Sequence, residues 1–417
     1  MTYLENYNLW LSNPLVDENT KNELRSIVDD NEIKERFYKN LEFGTAGLRG
    51  KVGAGTNMMN YYTVGKATQG IADFIVSKGE EYMNAGVVIA YDPRHYSKEF
   101  AQMVSCIMAG NNIKSYLFDD LRPTPELSYA LLDLKCCCGV NITASHNPKE
   151  YNGYKVYWQD GAQVLDEIAL PMTDCINNVD MFDGVKKADF EESKDNGLIS
   201  VIGKEMDDKY IAMVKGLSIN SDDLLDKTVS IVYTPLNGCG SKPVRRLLSE
   251  RGFNNVKIVK EQENPDPDFT TVGYPNPEDP KAFKLAEVLG KEVDATLLIA
   301  TDPDSDRLAI EVKDENGNYI PFNGNQTGFI LINYIFESLY KQNKLPKNAC
   351  LIKSIVTGDL GKAIVEKYGA TCFESLTGFK NICGRIDELK AKGYNYVFGY
   401  EESIGYAASE KVRDKDG

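Results

Sequence analysis

Short apolar runs recur along the chain, and segments with helical character separate them. The run at residues 87–91 (Val-Val-Ile-Ala-Tyr) predicts a buried strand because every side chain in it is apolar or aromatic. Residues 97–110 then predict a helix, with an acidic side chain in its first turn and a glycine at its end. Residues 114–118 and 137–142 predict the next two strands. Strands that alternate with helices in this way are typical of mostly parallel sheets.

The same alternation returns twice farther along the chain. The later predicted strands are at 229–233, 256–259, 295–300, 351–355 and 396–400. Helix formers are frequent in residues 1–40, which predicts a helical lead-in, whereas the charged segment 411–417 contains no predicted element. We therefore predict an α/β fold with mostly parallel, mixed sheets around a central cleft. Its three successive α/β domains are predicted at residues 1–202, 203–322 and 323–417.

Composition narrows the class of protein. The 417 residues are 42% hydrophobic and 26% charged, as in an ordinary soluble globular protein. The net charge of −15 would repel a phosphate backbone, so nucleic acid is not an expected partner. No apolar run approaches the ~18 residues of a membrane span, and residues 1–10 lack the pattern of a signal peptide. Nine cysteines without a CxxC pair predict reduced thiols and a cytoplasmic protein.

Polar motifs follow several predicted strands, at the edge where open α/β sheets place ligands. In residues 143–148 (Thr-Ala-Ser-His-Asn-Pro), Ser145 is adjacent to His146, which can accept a proton from a nucleophilic hydroxyl. The same residue types form ordinary polar turns, and their spacing by itself favours the turn. Segments 92–95 and 122–125 also follow strands, and we predict that they are architectural loops.

Three carboxylates alternate in the segment Asp302-Pro303-Asp304-Ser305-Asp306. Carboxylates at this spacing can converge on one cation, and hard oxygen ligands favour Mg²⁺, Ca²⁺ or Mn²⁺ over zinc. The segment lacks the glycine and the final glutamate of an EF-hand loop. A solvated acidic turn is the alternative. Arg307 could clamp a phosphate near the metal or pair with the acids.

Further motifs offer polar groups whose role the spacing does not decide. The glycine-rich segment 44–50 carries Arg49 but lacks the Lys-Ser/Thr pair of a Walker loop. Lys155 lies in the strand-like segment 151–158 and could project toward Ser145. Two later loops offer hydroxyl, backbone, ammonium and carboxylate groups that could cradle a sugar phosphate, or they could be surface turns. The residues concerned are Thr377, Gly378 and Lys380, with Glu401 and Ser403.

Taken in order, these motifs resemble the α-D-phosphohexomutase superfamily, and most of all its phosphoglucomutase/phosphopentomutase-like branch. The resemblance extends over essentially the whole chain. The motifs that carry it are Gly-Thr-Ala-Gly-Leu-Arg-Gly at 44–50, Thr-Ala-Ser-His-Asn-Pro at 143–148, Asn-Gly-Tyr-Lys at 152–155, Asp-Pro-Asp-Ser-Asp-Arg at 302–307, Thr-Gly-Phe-Lys at 377–380 and Glu-Glu-Ser-Ile-Gly at 401–405.

The resemblance implies a role for each of these residues. Ser145 would be the phosphoserine, and proton transfer would belong to His146 and Lys155. The ligands of one Mg²⁺ would be Ser145, Asp302, Asp304 and Asp306. Two arginines that would steady the phosphoserine are Arg49 and Arg307. The groups that would contact the substrate are Arg307, Thr377, Gly378, Lys380, Glu401 and Ser403.

The implied activity is that of an isomerase, which would interconvert glucose 1-phosphate and glucose 6-phosphate. The phosphoserine would donate its phosphoryl group, and glucose 1,6-bisphosphate would be the intermediate and activator. A phosphopentomutase, a phosphomannomutase or a catalytically impaired sugar-phosphate-binding fragment are the alternatives. We expect small sugar phosphates as the only partners, and a monomer or a weak homodimer.

The resemblance also implies a fourth, C-terminal domain that binds the phosphate that is not transferred. No residues after Gly417 supply it, and the third predicted domain lacks a final helix or strand. We therefore expect an incomplete third domain. The chain would be either a fragment of a longer protein, which we favour, or the product of a lineage that has lost the fourth domain. Substrate binding should be weak, because a bidentate phosphate clamp would be missing.

Overall fold

The computed structural model describes residues 1–44 and 47–417. Thr45 and Ala46, which belong to the glycine-rich segment 44–50, lie outside the described residues. Within these two ranges, no helix combines the length and the apolar character that crossing a membrane requires.

Three short helices form the predicted helical lead-in. They are α1 (Tyr3–Ser12), α2 (Glu18–Arg25) and α3 (Asp30–Phe37). Each begins after a Thr or Asp whose side chain accepts a hydrogen bond from a backbone NH of the first turn. Trp10 contacts the ring of Phe37 edge to face, with centroids 5.7 Å apart, and also contacts the ring of Tyr62. The first contact joins α1 to α3, and the second attaches the lead-in to the rest of the first domain.

The first sheet contains the strands predicted from the early apolar runs. Its elements are β1 (Leu48–Lys51), α4 (Tyr61–Lys78), α5 (Glu80–Ala85), β2 (Val87–Tyr91), α6 (Ser97–Gly110), β3 (Ser115–Phe118), α7 (Thr124–Asp133), β4 (Cys138–Ile142), β5 (Tyr151–Trp158), α8 (Asp166–Asn178), α9 (Phe190–Asp195) and β6 (Ile199–Ile202). The strand order is β1-β5-β4-β2-β3-β6. Strands β2, β3, β4 and β6 are parallel, whereas β5 runs antiparallel to β4 and β1. Every residue of β2 is buried, which its continuous apolar sequence requires.

The second sheet is mixed and ends in a hairpin. Its elements are α10 (Lys204–Gly216), β7 (Ile231–Thr234), α11 (Ser241–Glu250), β8 (Val256–Ile258), α12 (Lys284–Glu292), β9 (Leu297–Thr301), β10 (Leu308–Lys313) and β11 (Tyr319–Phe322). The strand order is β11-β10-β9-β7-β8, and β10 is antiparallel to both of its neighbours. The aspartate-rich segment 302–307 is therefore the turn of the β9–β10 hairpin.

The third sheet has four strands. Its elements are α13 (Gly324–Lys341), β12 (Ala349–Ser354), α14 (Leu360–Lys367), β13 (Thr371–Ser375), α15 (Phe379–Cys383), α16 (Ile386–Ala391), β14 (Asn395–Glu401) and β15 (Gly405–Ala407). The order is β13-β12-β14-β15, and only β15 is antiparallel to its neighbour. The sequence predicted neither β13 nor β15. The three sheets together confirm the predicted α/β class with mixed sheets.

The charged segment 411–417 packs into the molecule although it has no regular element. Val412 and Asp414 are each only 1% exposed. The carboxylate of Asp414 accepts a hydrogen bond from the hydroxyl of Tyr157 at 2.7 Å, and the backbone NH of Arg413 donates to Ser128 Oγ at 2.8 Å. The segment thus joins the third sheet to the first.

Candidate active site

Ser145 lies in a buried turn shortly after β4. Its φ of 53° is in the left-handed region that residues with a Cβ rarely adopt, and it is only 3% exposed. The hydroxyl donates to Asp302 Oδ2 at 2.9 Å and lies 3.2 Å from His146 Nδ1. The backbone NH of Ser145 donates to Thr143 Oγ1 at 2.8 Å. The turn therefore directs the hydroxyl of the first domain toward the hairpin of the second.

The three aspartates form a buried carboxylate cluster in this hairpin. Each of Asp302, Asp304 and Asp306 is at most 1% exposed, and one carboxylate oxygen of each lies within 4.8 Å of the others. Across residues 1–44 and 47–417, Oδ1 of Asp304 and Oδ1 of Asp306 find no hydrogen-bond partner. Buried carboxylate oxygens with free lone pairs are the donors that a hard divalent cation prefers. The cluster therefore fits one Mg²⁺.

Two lysines approach the cluster from other parts of the chain. Lys155 of β5 places Nζ 2.7 Å from Asp304 Oδ2 and 3.0 Å from Asp306 Oδ2. Lys415 places Nζ 3.1 Å from Asp306 Oδ2. Burial lowers the pKa of each lysine, but the attraction of the carboxylates is stronger, so both pKa values lie above the usual range. Both ammonium groups therefore neutralise carboxylate charge.

The pKa values of Asp302 and Asp304 are shifted in opposite directions. Burial raises the pKa of Asp302 well above its usual range, and the carboxylates of Asp304 and Asp306 raise it further. Burial acts on Asp304 as well, but the Lys155 ammonium and the Thr124 hydroxyl bring its pKa below the usual range. A divalent cation favours ionised ligands, so metal binding should lower the pKa of Asp302.

His146 is neutral at physiological pH. Burial lowers the pKa of His146 to about 3, and the guanidinium groups of Arg307 and Arg49 act in the same direction. A neutral imidazole can accept the proton of the Ser145 hydroxyl. Arg49 itself is exposed on β1 and donates from Nη1 to Asn147 Oδ1 at 3.2 Å.

Arg307 follows the aspartates at the start of β10. Its backbone NH donates to Asp302 Oδ1 at 3.0 Å, and its Nη1 lies 3.6 Å from Glu278 Oε2. The buried Nε has no hydrogen-bond partner in the part of the chain that the structure describes. The guanidinium therefore keeps donors that an anion could use.

The two predicted sugar loops contact each other. The backbone NH of Gly378 donates to Oε1 of Glu401, and burial raises the pKa of the Glu401 carboxyl. Thr377 and Lys380 flank this bond, and Ser403 is half-buried two residues beyond Glu401. Among the described residues, no side chain of either loop forms a hydrogen bond with Ser145 or with the aspartates. The structure thus assembles the predicted site as two groups of residues.

Sequence models of one family match most of the chain. The models described as "Phosphoglucomutase/phosphomannomutase, alpha/beta/alpha domain I", "domain II" and "domain III" match residues 40–181, 208–317 and 323–417. The chain belongs to the phosphoglucomutase/phosphomannomutase family. This confirms the resemblance to the α-D-phosphohexomutase superfamily that the motifs indicated.

Several relatives of this family member align over most of the chain. A phosphoglucomutase of Staphylococcus epidermidis is 39% identical over 413 residues, which are 98% of this chain and 72% of the relative. A phosphoglucomutase of Staphylococcus aureus is 38% identical over 390 residues, which are 93% of this chain and 68% of the relative.

Solved structures of the family share the fold. A protein from Thermus thermophilus described as a phosphomannomutase has a TM-score of 0.71 and 25% identity, over 91% of this chain and 78% of its own. The Paramecium phosphoglucomutase pp63/parafusin, in its open form, has a TM-score of 0.67 and 20% identity, over 91% of this chain and 69% of its own. At 20% identity, the similarity to the Paramecium structure supports the fold alone.

In this phosphoglucomutase/phosphomannomutase chain, two residues near the carboxylates were not predicted from the sequence. Thr124 is the first residue of α7, in a segment that we predicted to be an architectural loop. It donates from its hydroxyl to Asp304 Oδ2 at 2.6 Å and from its backbone NH to the backbone oxygen of Asp304 at 2.9 Å. Lys415, in a segment without a predicted element, reaches Asp306. The Arg-Pro-Thr-Pro motif was the only signal for Thr124, and an isolated lysine gives none.

Proposed function

We propose that this chain is a phosphoglucomutase, which interconverts glucose 1-phosphate and glucose 6-phosphate by way of a phosphoserine at Ser145. The observation that carries the proposal is the 2.9 Å hydrogen bond from the buried Ser145 hydroxyl to Asp302, a member of a carboxylate cluster that fits Mg²⁺. The names of the staphylococcal relatives support the same activity.

The chain's own residues would hold the cation that neutralises the phosphoryl group and would accept the proton of the Ser145 hydroxyl. When bound by Ser145 and the three aspartates, Mg²⁺ would neutralise charge on the transferring phosphoryl group. When the unphosphorylated hydroxyl of Ser145 attacks the bisphosphate, the bond from Oγ to phosphorus forms and the sugar oxygen–phosphorus bond breaks. The proton of Ser145 passes to neutral His146 at 3.2 Å, whose basicity the nearby anionic phosphoryl group would raise. From His146 the proton goes on to the departing sugar oxygen, which becomes a hydroxyl. In the opposite direction, His146 returns this proton to the departing Oγ.

The other predicted site residues would neutralise charge, bind phosphate oxygens or bind the sugar. The carboxylates raise the pKa of Lys155, so this residue would neutralise charge beside Asp304 and would take part in proton transfer as an acid, in its ammonium form. Donors for phosphate oxygens come from Arg49 and Arg307. The sugar would be held by Thr377, Gly378, Lys380, Glu401 and Ser403. We propose glucose 1,6-bisphosphate as the intermediate, which turns in the cleft so that its other phosphoryl group returns to Ser145.

An assay of the chain with several sugar phosphates tests the function. The purified protein is incubated with Mg²⁺, a trace of glucose 1,6-bisphosphate and either glucose 1-phosphate, mannose 1-phosphate or ribose 1-phosphate, and the products are measured. We expect glucose 6-phosphate to form fastest. Faster conversion of mannose or ribose 1-phosphate would instead identify a phosphomannomutase or phosphopentomutase.

Ser145→Ala is the control for this assay, because it removes only the attacking oxygen. Intact-mass measurement with peptide mapping should find phosphate on Ser145 after exposure to glucose 1,6-bisphosphate, and none in the variant. If the wild-type protein binds sugar phosphates but neither turns them over nor becomes phosphorylated, it is a binding protein and the proposal is wrong. Light scattering would test the further proposal of a monomer or weak homodimer.

A further inference from the structure

Arg94 is buried beneath the turn that carries Ser145, and it is only 3% exposed. Its guanidinium donates to four backbone carbonyl oxygens. Nη2 donates to the oxygens of Ser145 and Asn147 at 2.6 and 2.5 Å, and Nη1 to those of Pro148 and Tyr151 at 2.8 and 3.1 Å. Because the guanidinium is planar and rigid, these bonds fix the relative positions of the four carbonyls.

The guanidinium is itself held from two sides. Arg94 Nε lies 3.2 Å from Asp92 Oδ2, and Asp92 Oδ1 accepts hydrogen bonds from the backbone NH of Arg94 and the hydroxyl of Ser97 at 2.9 and 2.8 Å. On the other side, the buried ring of Phe269 has its centroid 5.0 Å from Arg94 Cζ. Asp92 follows β2 of the first sheet and Phe269 precedes α12 in the second domain. Arg94 therefore lies where the two domains meet.

We propose that Arg94 is a positioning residue for phosphoryl transfer, which rests on the proposed mutase function. A left-handed φ of 53° is unfavourable for a residue with a Cβ, so the turn at Ser145 needs bonds that hold it. The Arg94 guanidinium supplies four of them, and the turn that they hold directs the Ser145 hydroxyl to Asp302. In-line transfer depends on such alignment, and a misplacement of about 1 Å can lower a rate by about 10²-fold.

Arg94→Lys tests this role with the buried charge preserved. Lysine still pairs with Asp92, but its ammonium has three donors and no planar fork, so it cannot span four carbonyls. We expect kcat for glucose 1-phosphate to fall by about 10²-fold, with KM changed by less than about 3-fold. Arg246→Lys is the matched control, because Arg246 is 37% exposed and pairs with Glu250 on the surface. It should keep the wild-type kcat.

Two further measurements separate positioning from simple loss of structure. In Arg94→Ala, added methylguanidinium chloride should restore part of kcat, whereas urea, which has a similar shape and no charge, should not. Hydrogen exchange of the amides in residues 145–151 should be faster in Arg94→Lys than in the wild type, while the rest of the first domain keeps its protection. Phe269→Leu removes only the ring over the guanidinium and should cause smaller changes in the same direction.

These measurements distinguish failure of the proposed function from failure of the positioning role of Arg94. If the wild-type protein does not interconvert sugar phosphates, the proposed function is wrong, and so is a role for Arg94 in it, whatever the exchange data show. If the wild type is active and Arg94→Lys keeps its kcat, the positioning role is overturned while the function stands. If the lysine variant does not fold, unchanged kcat and unchanged exchange in Phe269→Leu would overturn it equally.

Discussion

At the residue scale, Ser145 combines a reactive hydroxyl with a backbone conformation that favours glycine. The conformation serves the site because it directs the hydroxyl to Asp302, and it costs about 1–2 kcal/mol for a residue with a Cβ. We predict that Ser145→Gly and Ser145→Ala are equally inactive, but that the glycine variant has the higher free energy of unfolding, by about 1 kcal/mol. Urea unfolding of the two variants measures the difference. Equal stabilities would mean that the turn relaxes when the hydroxyl is lost.

Glu311 of β10 is a second residue in an unusual environment. It is only 2% exposed, and its Oε2 has no hydrogen-bond partner among residues 1–44 and 47–417. Burial raises the pKa of Glu311 to about 7, and the Glu287 carboxylate acts in the same direction. The folded protein therefore holds a proton that the unfolded chain releases near pH ~4.3. It follows that the free energy of unfolding should fall as pH rises from about 4.3 to about 7.

Glu311→Gln should remove this contribution to the pH dependence. Between pH 5 and pH 8, the free energy of unfolding should fall less in the variant than in the wild type. The two falls should differ by about 1–3 kcal/mol. Urea unfolding at the two pH values measures this. Glu315→Gln, in the exposed turn after β10, is the control and should follow the wild-type profile. A parallel profile for Glu311→Gln would show that the Glu311 carboxylate is solvated at high pH.

At the scale of elements, the sites depend on where strands and helices begin and end. Thr124 is the first residue of α7, and its hydroxyl bond to Asp304 connects that helix to the hairpin of the second sheet. We predict that Thr124→Val lowers Mg²⁺ affinity by about 10–100-fold, because groups that orient metal ligands have effects of that size. Calorimetric titration with Mg²⁺ measures this. Thr173→Val, which loses a hydroxyl bond within α8 instead, should keep the wild-type affinity.

The strands of the fold were predictable to different degrees. Strand β2 has a continuous apolar sequence because both of its faces are buried, so its existence was visible. Strand β10 alternates between buried and partly exposed residues. Because it also contains Glu311 and Lys313, it is not a continuous apolar run and was not predicted. Strand β15 has only three residues. The hairpin that holds the aspartates was therefore seen as a strand followed by a loop.

At the scale of the whole molecule, residues from separate domains meet at one cluster of carboxylates. Ser145 and Lys155 come from the first domain, the aspartates from the hairpin turn of the second, and Lys415 from the segment that follows the third sheet. A cation that binds only the folded arrangement stabilises it by mass action. The domain boundaries at 202/203 and 322/323 stay predictions.

We predict that Mg²⁺ raises the unfolding temperature and that EDTA reverses the effect. At about 100 times its dissociation constant, Mg²⁺ should add about 2.7 kcal/mol to the free energy of unfolding. Differential scanning calorimetry measures the shift. Asp304→Asn should reduce it strongly, whereas Asp195→Asn, at the exposed end of α9, should not. A shift that survives in Asp304→Asn would place the cation elsewhere.

The sequence by itself determined the α/β class and the order of the motifs, because the apolar runs and the motifs lie in short segments. It singled out Ser145 and the three aspartates only through the resemblance that the motifs carry together, because the spacing around Ser145 alone favours an ordinary turn. Only the tertiary structure decided that Arg94, Thr124 and Lys415 belong to the same site. Thr124 and Asp304 are 180 residues apart. Contacts of this kind arise from the packing of one domain on another, and local sequence patterns carry no information about that packing.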